Sequence, residues 1–108
     1  MTPDSVLLSH TSCPDAACAQ RIAEALVSER LAACVNCVPG ISSTYRWNEA
    51  VTTEAEVLLL IKTTAARFDA LKTRLLQLHP YELPELVALP LTCGHPPYLD
   101  WVRANATG

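Results

Sequence analysis

Two consecutive segments with alternating hydrophobicity constrain the fold of this chain most strongly. The first reads ACVNCVPGISSTYRWNE and the second VTTEAEVLLLIKT, and both have a period of two residues. A tight NEA turn separates them, so they predict a β-hairpin with strands of about twelve residues, where ~5–6 is usual. Pro39 and Gly40 interrupt the first strand, which predicts a bulge or bend there.

Helical patterns lie on both sides of this hairpin. From Ala16 to Leu31 the apolar residues recur with the spacing of an amphipathic helix, and Ser12 is a candidate N-cap. A second helical pattern follows Thr64, which we expect to cap it. This helix is predicted to end at His79, because Pro80 disfavours helical geometry in the residue before it.

Two shorter strands and a terminal helix complete the pattern. Ser5–His10 and Leu86–Leu91 have strand length, and Pro90 predicts that the last strand lies at a sheet edge. The segment PPYLDWVRA predicts a helix that begins at Pro97. The order β-α-β-β-α-β predicts one α+β domain over residues 1–108, with a ferredoxin-like four-stranded antiparallel sheet and both long helices on one face.

The long hairpin also predicts an oligomer. Two helices of roughly four turns are too short to cover it. Its distal half carries Tyr45, Trp47 and Val51, and an uncovered ribbon with aromatic residues tends to pair with another chain. Tyr45 and Trp47 are therefore predicted to anchor a subunit interface.

Charge and composition exclude two classes of partner. The formal net charge is −3 and Lys and Arg form no run, so we expect no nucleic-acid partner. The longest apolar run, Val57–Ile61, is far short of the ~20 residues of a membrane helix, so we expect no membrane partner. The N-terminus has no basic region before an apolar run, and the five cysteines are an odd number. We therefore expect a cytoplasmic protein with reduced thiols.

Four segments carry a family resemblance over nearly the whole chain. They are CPDAACAQRIAEALVSERLAACVNCVPGISSTYRW, EVLLLIKTT, HPYELPE and GHPPYLDWV, in that order. Together they resemble the CutA family of divalent-cation-tolerance proteins. The resemblance implies the ferredoxin-like fold, a homotrimer formed through the long hairpins, and a role in tolerance to copper and other divalent ions. It implies no enzymatic reaction and no required cofactor.

The resemblance also implies a metal site, which this chain matches only in part. Metal ligands proposed for the family include a cysteine at the end of the first strand, where this chain has Thr11. They also include histidines before the Pro-Tyr pair, where only His79 is present because residue 78 is leucine. His10 and Cys13 lie on either side of Thr11 and are candidate replacements.

The candidate metal ligands are His79, with Cys34, Glu85 and His95 as helpers. Thiolate and imidazole together favour copper over magnesium or calcium. Each residue also has a structural interpretation. A histidine at a helix C-terminus interacts with the last carbonyl groups, and a glutamate between prolines is often a solvated turn residue.

An alternative hypothesis is a signalling or scaffold trimer that binds a small anion or a protein partner. Lys62, Glu56 and Tyr81 would then line a cleft, with Lys62 and Glu56 on one face of their strand. A structural ion pair between these two is the competing interpretation. The Cys34–Cys37 spacing resembles a redox motif, but it lies on a predicted strand and not at a helix start, so we expect no redox role.

Overall fold

The computed structural model describes all 108 residues as a four-stranded sheet with three helices. In chain order the elements are β1 (Val6–Cys13), α1 (Ala16–Ser28), β2 (Cys34–Trp47), β3 (Ala50–Thr64), α2 (Ala65–Leu78), β4 (Val87–Pro90) and α3 (Pro96–Asn105). The strand order is β2-β3-β1-β4 and all neighbours are antiparallel. The predicted ferredoxin-like α+β fold is confirmed, and β4 is an edge strand as predicted. No helix has both the length and the apolar content that a membrane crossing requires.

The hairpin of β2 and β3 is longer than the sequence predicts, with strands of 14 and 15 residues. The predicted bulge is present as a register shift between Val38 and Ile41, and Gly40 has a φ of 75° there. Asn48 and Glu49 form the turn with φ values of 50° and 66°, as a two-residue hairpin turn with the twist of the strands requires. The hairpin is central in chain order, but of its two strands only β3 is internal to the sheet, next to β1, and β2 is an edge.

The start of α1 differs from the prediction. Asp15, and not Ser12, is the N-cap, and its Oδ1 accepts a hydrogen bond of 2.8 Å from the backbone N–H of Cys18. Ser12 is unavailable because β1 continues through Cys13, three residues beyond the predicted end at His10.

The boundaries of α2, β4 and α3 differ less from the predicted ones. Thr64 occupies the N-cap position of α2, but its hydroxyl donates to the carbonyl of Ala106 at 3.4 Å and not to the helix. The strand β4 is two residues shorter than predicted, and α3 begins one residue earlier, at Pro96.

The main core lies on one face of the sheet, which we call the helix face. There α1 and α2 pack on the side chains of β1 and β3 that point the same way. The members that are less than 2% exposed supply most of its apolar volume: Cys13, Ala19, Ile22, Leu26, Ala32, Leu59, Ile61, Leu71 and Leu75.

The opposite face, which we call the open face, is covered only at one end. There Val102 of α3 and Ala106, the residue that follows α3, pack on Val6 of β1. Beyond α3 the open face carries Leu8, His10, Leu58, Leu60, Val87 and Leu89, all of them partly or largely exposed. Leu58 and Leu60 of β3 are therefore covered incompletely on this face by the single chain.

Two buried threonines provide a test of this core. Both are fully buried, but the Thr11 hydroxyl has no partner whereas that of Thr63 donates to the carbonyl of Leu31 at 2.7 Å. Thr11→Val is expected to raise the free energy of unfolding by about 1 kcal/mol, because it removes an unsatisfied polar group. Thr63→Val is expected to lower it by about 1–3 kcal/mol, because it leaves a buried carbonyl unpaired. Urea unfolding at one protein concentration measures both, and a shift of the same sign in both variants would contradict this assignment.

Candidate functional site

The segment from His79 to Glu85 connects α2 with β4, and hydrogen bonds of the His79 ring hold its first residues. The backbone N–H of Tyr81 donates to Nδ1 of His79 at 3.2 Å, which leaves the proton on Nε2. Nε2 then donates to the carbonyl of Ser12 at 2.8 Å, and the residue is only 7% exposed. Both ring nitrogens of the leading predicted ligand are therefore engaged within the chain.

Tyr81 continues this network into β3. Its hydroxyl donates to Oε2 of Glu56 at 2.5 Å, and its ring packs against His79 with 4.7 Å between centroids. Burial raises the pKa of Tyr81 well above its usual value, and the hydrogen bond and charge of Glu56 raise it further. Tyr81 thus stays protonated and fixes the buried carboxylate of Glu56.

Glu85 at the other end of the segment meets His10. Its Oε1 lies 3.0 Å from Nδ1 of His10, which is a buried atom without an aligned hydrogen bond. The antiparallel pairing of β4 with β1 creates this contact, because Val87 is directly opposite His10. Neighbouring nitrogen and carboxylate donors are a ligand set for a transition-metal ion.

A cavity of about 760 Å³ lies between this segment and the distal hairpin. Four of the side chains that line it are glutamates and one is an arginine. Its charged and aromatic residues are Glu54, Glu56, Glu82, Glu85, Arg46, Tyr45, Trp47 and Tyr81. A hydrogen bond to Glu54 raises the pKa of Tyr45, so this hydroxyl also stays protonated. The excess of negative charge attracts cations and disfavours small anions.

Lys62 does not share this cavity. It lies six residues from Glu56 along β3, about 20 Å away, so the two form no ion pair and do not line one cleft. Its ammonium group donates to Oδ1 of Asn36 and lies 3.9 Å from Sγ of Cys34.

The predicted metal ligands are dispersed over the chain. Glu85 lies at the cavity, Cys34 lies beside Lys62, and His95 is an exposed residue at the N-cap of α3. The chain holds no group of three or more His, Cys, Asp or Glu side chains at metal-binding distances. Tyr45 and Trp47, the predicted interface anchors, are 39% and 43% exposed at the cavity wall.

Comparison with known proteins assigns the family. The sequence model described as CutA1 divalent ion tolerance protein matches residues 7–105. The chain belongs to the CutA1 family. The divalent-cation tolerance protein CutA of Thermus thermophilus is 55% identical over 92 residues, which cover 85% of this chain and 89% of that protein.

Other members of the family confirm the shared fold. The CutA structure from Xylella fastidiosa superposes with a TM-score of 0.93 at 47% identity, covering 95% of this chain and 99% of that one. Mouse protein CutA is 45% identical over 101 residues, which are 94% of this chain but only 57% of the mouse protein. Family membership supports a role in divalent cation tolerance.

Proposed function

We propose that this chain supports tolerance to divalent cations, including copper, as a cytoplasmic homotrimer that binds them at the acidic cavity. The observation that carries the proposal is Glu85, which lines the cavity and lies 3.0 Å from the otherwise unpartnered Nδ1 of His10. The proposal assigns no reaction to the chain and no obligatory cofactor.

The donor types support binding of Cu(II) or Zn(II). Imidazole nitrogen suits these ions, whereas Mg²⁺ and Ca²⁺ prefer oxygen ligands alone. Glu82 and Glu54 raise the local cation concentration without touching the ion. Water or a neighbouring copy supplies the remaining ligands.

The trimer is supported by the open face. Leu89 is 58% exposed and Val87 is 46% exposed there. They lie on the same face of the sheet as the partly buried Leu58 and Leu60. A second copy of the chain fits such a patch, which monomers rarely expose. Five free cysteines suit the reducing cytoplasm.

Calorimetric titration of Cu(II) and Zn(II) tests the cation site. Glu85→Gln keeps the size of the side chain but removes its charge, so the affinity for both ions is expected to fall by about tenfold or more. Glu24→Gln on the outer side of α1 is the matched control, because Glu24 lies outside this cavity.

Two results would contradict the proposal. Equal affinity in wild type and Glu85→Gln would exclude Glu85 as a ligand. No detectable binding at ~100 µM metal would exclude a functional cation site, since the binding free energy would then be weaker than roughly −5.5 kcal/mol.

A second candidate is anion binding at Lys62, which keeps the signalling hypothesis open. Its ammonium group is half-buried beside Cys34 and has no carboxylate partner. Lys62→Met would abolish binding of inorganic phosphate at this position and leave the affinity for Zn(II) unchanged. Undetectable phosphate binding by the wild type would exclude the candidate.

A further inference from the structure

The buried carboxylate of Glu56 has no cationic partner in the chain. Glu56 is only 7% exposed and lines the acidic cavity, where its Oε2 accepts the hydrogen bond from Tyr81 and no hydrogen bond of the chain reaches Oε1. The ion pairs of the chain include neither Glu56 nor Arg46, the one arginine at the cavity. Because glutamates are almost never buried without a partner, this carboxylate favours a cation from outside the chain.

The cavity around Glu56 has the size and the walls of a small-molecule site. Its volume of about 760 Å³ falls in the range of roughly 300–1,000 Å³ that such sites have, and it is far larger than a metal ion requires. The rings of Tyr45, Trp47 and Tyr81 form part of its wall. The face of an aromatic ring attracts an ammonium group, whereas it supplies no ligand atom to a metal ion. The wall therefore favours an organic cation.

A second carboxylate lies next to Glu56 on β3. The register of the hairpin places Glu54 and Glu56 on one face, and Tyr45 and Trp47 of β2 lie on the same face. The Cα atoms of residues two apart on a strand are separated by ~7 Å. Two ammonium groups joined by a short aliphatic chain match this separation.

We propose that the cavity binds an aliphatic primary diamine, with one ammonium group at Glu56 and the other at Glu54. A primary ammonium group has three N–H donors for Oε1 of Glu56, whereas a quaternary ammonium group has none. The rings of Tyr45 and Trp47 contact the charged ends and the aliphatic chain. This inference rests on the cavity of the proposed function, but it does not use Glu85 as a ligand.

Calorimetric titration with putrescine, a four-carbon primary diamine, in a buffer free of amines tests the site. Glu54→Gln and Glu56→Gln are each expected to weaken binding by about tenfold or more, since each removes a charged hydrogen-bond acceptor. Glutamine at position 56 keeps an oxygen that accepts from Tyr81, so the fold is retained. Glu49→Gln is the matched control, because Glu49 is exposed in the turn of the same hairpin and lies outside the cavity.

Two further measurements test the two charges and the aromatic wall. Butylamine, which has the same chain length and one ammonium group, is expected to bind about tenfold more weakly than putrescine. Trp47→Leu is expected to weaken putrescine binding about fivefold. The proposal would be overturned by equal affinity for the two amines or by wild-type affinity in Glu54→Gln and Glu56→Gln. Absence of binding by the wild type at about 1 mM putrescine would overturn it as well.

Zinc titration of the same samples separates this inference from the proposed function. Glu85→Gln is expected to lose zinc affinity and to keep most of its putrescine affinity, and Glu54→Gln is expected to show the reverse. A wild type that binds zinc but not putrescine would overturn the diamine site alone. A wild type that binds putrescine but not zinc would support the diamine site and overturn the metal site alone.

Discussion

His79→Ala is expected to lower the free energy of unfolding by about 3 kcal/mol and to leave the affinity for divalent cations unchanged. The ring is buried and joins three parts of the chain: the end of α2, the carbonyl of Ser12 and the N–H of Tyr81. Removing it leaves two polar backbone groups without partners, each of which costs about 1–3 kcal/mol if it stays buried. It also opens a small cavity, which adds to the loss.

Urea unfolding and zinc titration on the same samples measure the two effects. His95→Ala is the control, because His95 is exposed and makes no side-chain cap bond with α3. A stable His79→Ala variant with lost zinc binding would reverse our interpretation and restore His79 as the metal ligand. A stable His79→Ala variant with unchanged zinc binding would refute only the structural role of His79.

The fold was predictable because its signals are local and repeated. Each signal involves residues that are close together in the sequence. Examples are the alternation of β2 and β3, the helical spacing of Ile22 and Leu26, and the prolines at 80 and 84. Boundaries were less predictable where two local signals compete. Ser12 and Asp15 are both good N-caps, and only the pairing of Cys13 with Val57 decides for Asp15.

The site was harder to predict because it depends on contacts between distant residues. Glu85 and His10 are 75 positions apart, and their contact depends on the register of β4 against β1. Periodicity placed Lys62 and Glu56 on one face correctly, but it carries no information on which residues meet across that face. The structural role of His79 was missed for the same reason, because its hydrogen bond to the carbonyl of Ser12 joins segments 67 positions apart.

The largest effect on assembly is expected from Leu89→Lys. Light scattering of the wild type at low micromolar concentration should give about three times the chain mass of 11.7 kDa. Leu89 lies on the open face of the edge strand β4 and is 58% exposed, so the isolated chain tolerates a lysine there. In the proposed trimer that lysine would be an unpaired charge inside an apolar contact, which costs about 3–5 kcal/mol. We therefore expect the variant to have the mass of a monomer.

Leu76→Lys is the matched control, because Leu76 is 51% exposed on α2, on the other side of the sheet. It removes the same side chain and adds the same charge, so it should leave the mass of the wild type unchanged. A trimeric Leu89→Lys variant would place the subunit contact elsewhere than on the open face. A monomeric wild type would contradict the trimer proposal itself, since the partly exposed Leu58 and Leu60 would then need no cover from another subunit.

The comparison of the two variants also tests the cation site, because His10 lies on the same face between these leucines and β4. If a neighbouring copy supplies a further ligand there, the monomeric variant should bind Zn(II) more weakly than the Leu76→Lys trimer.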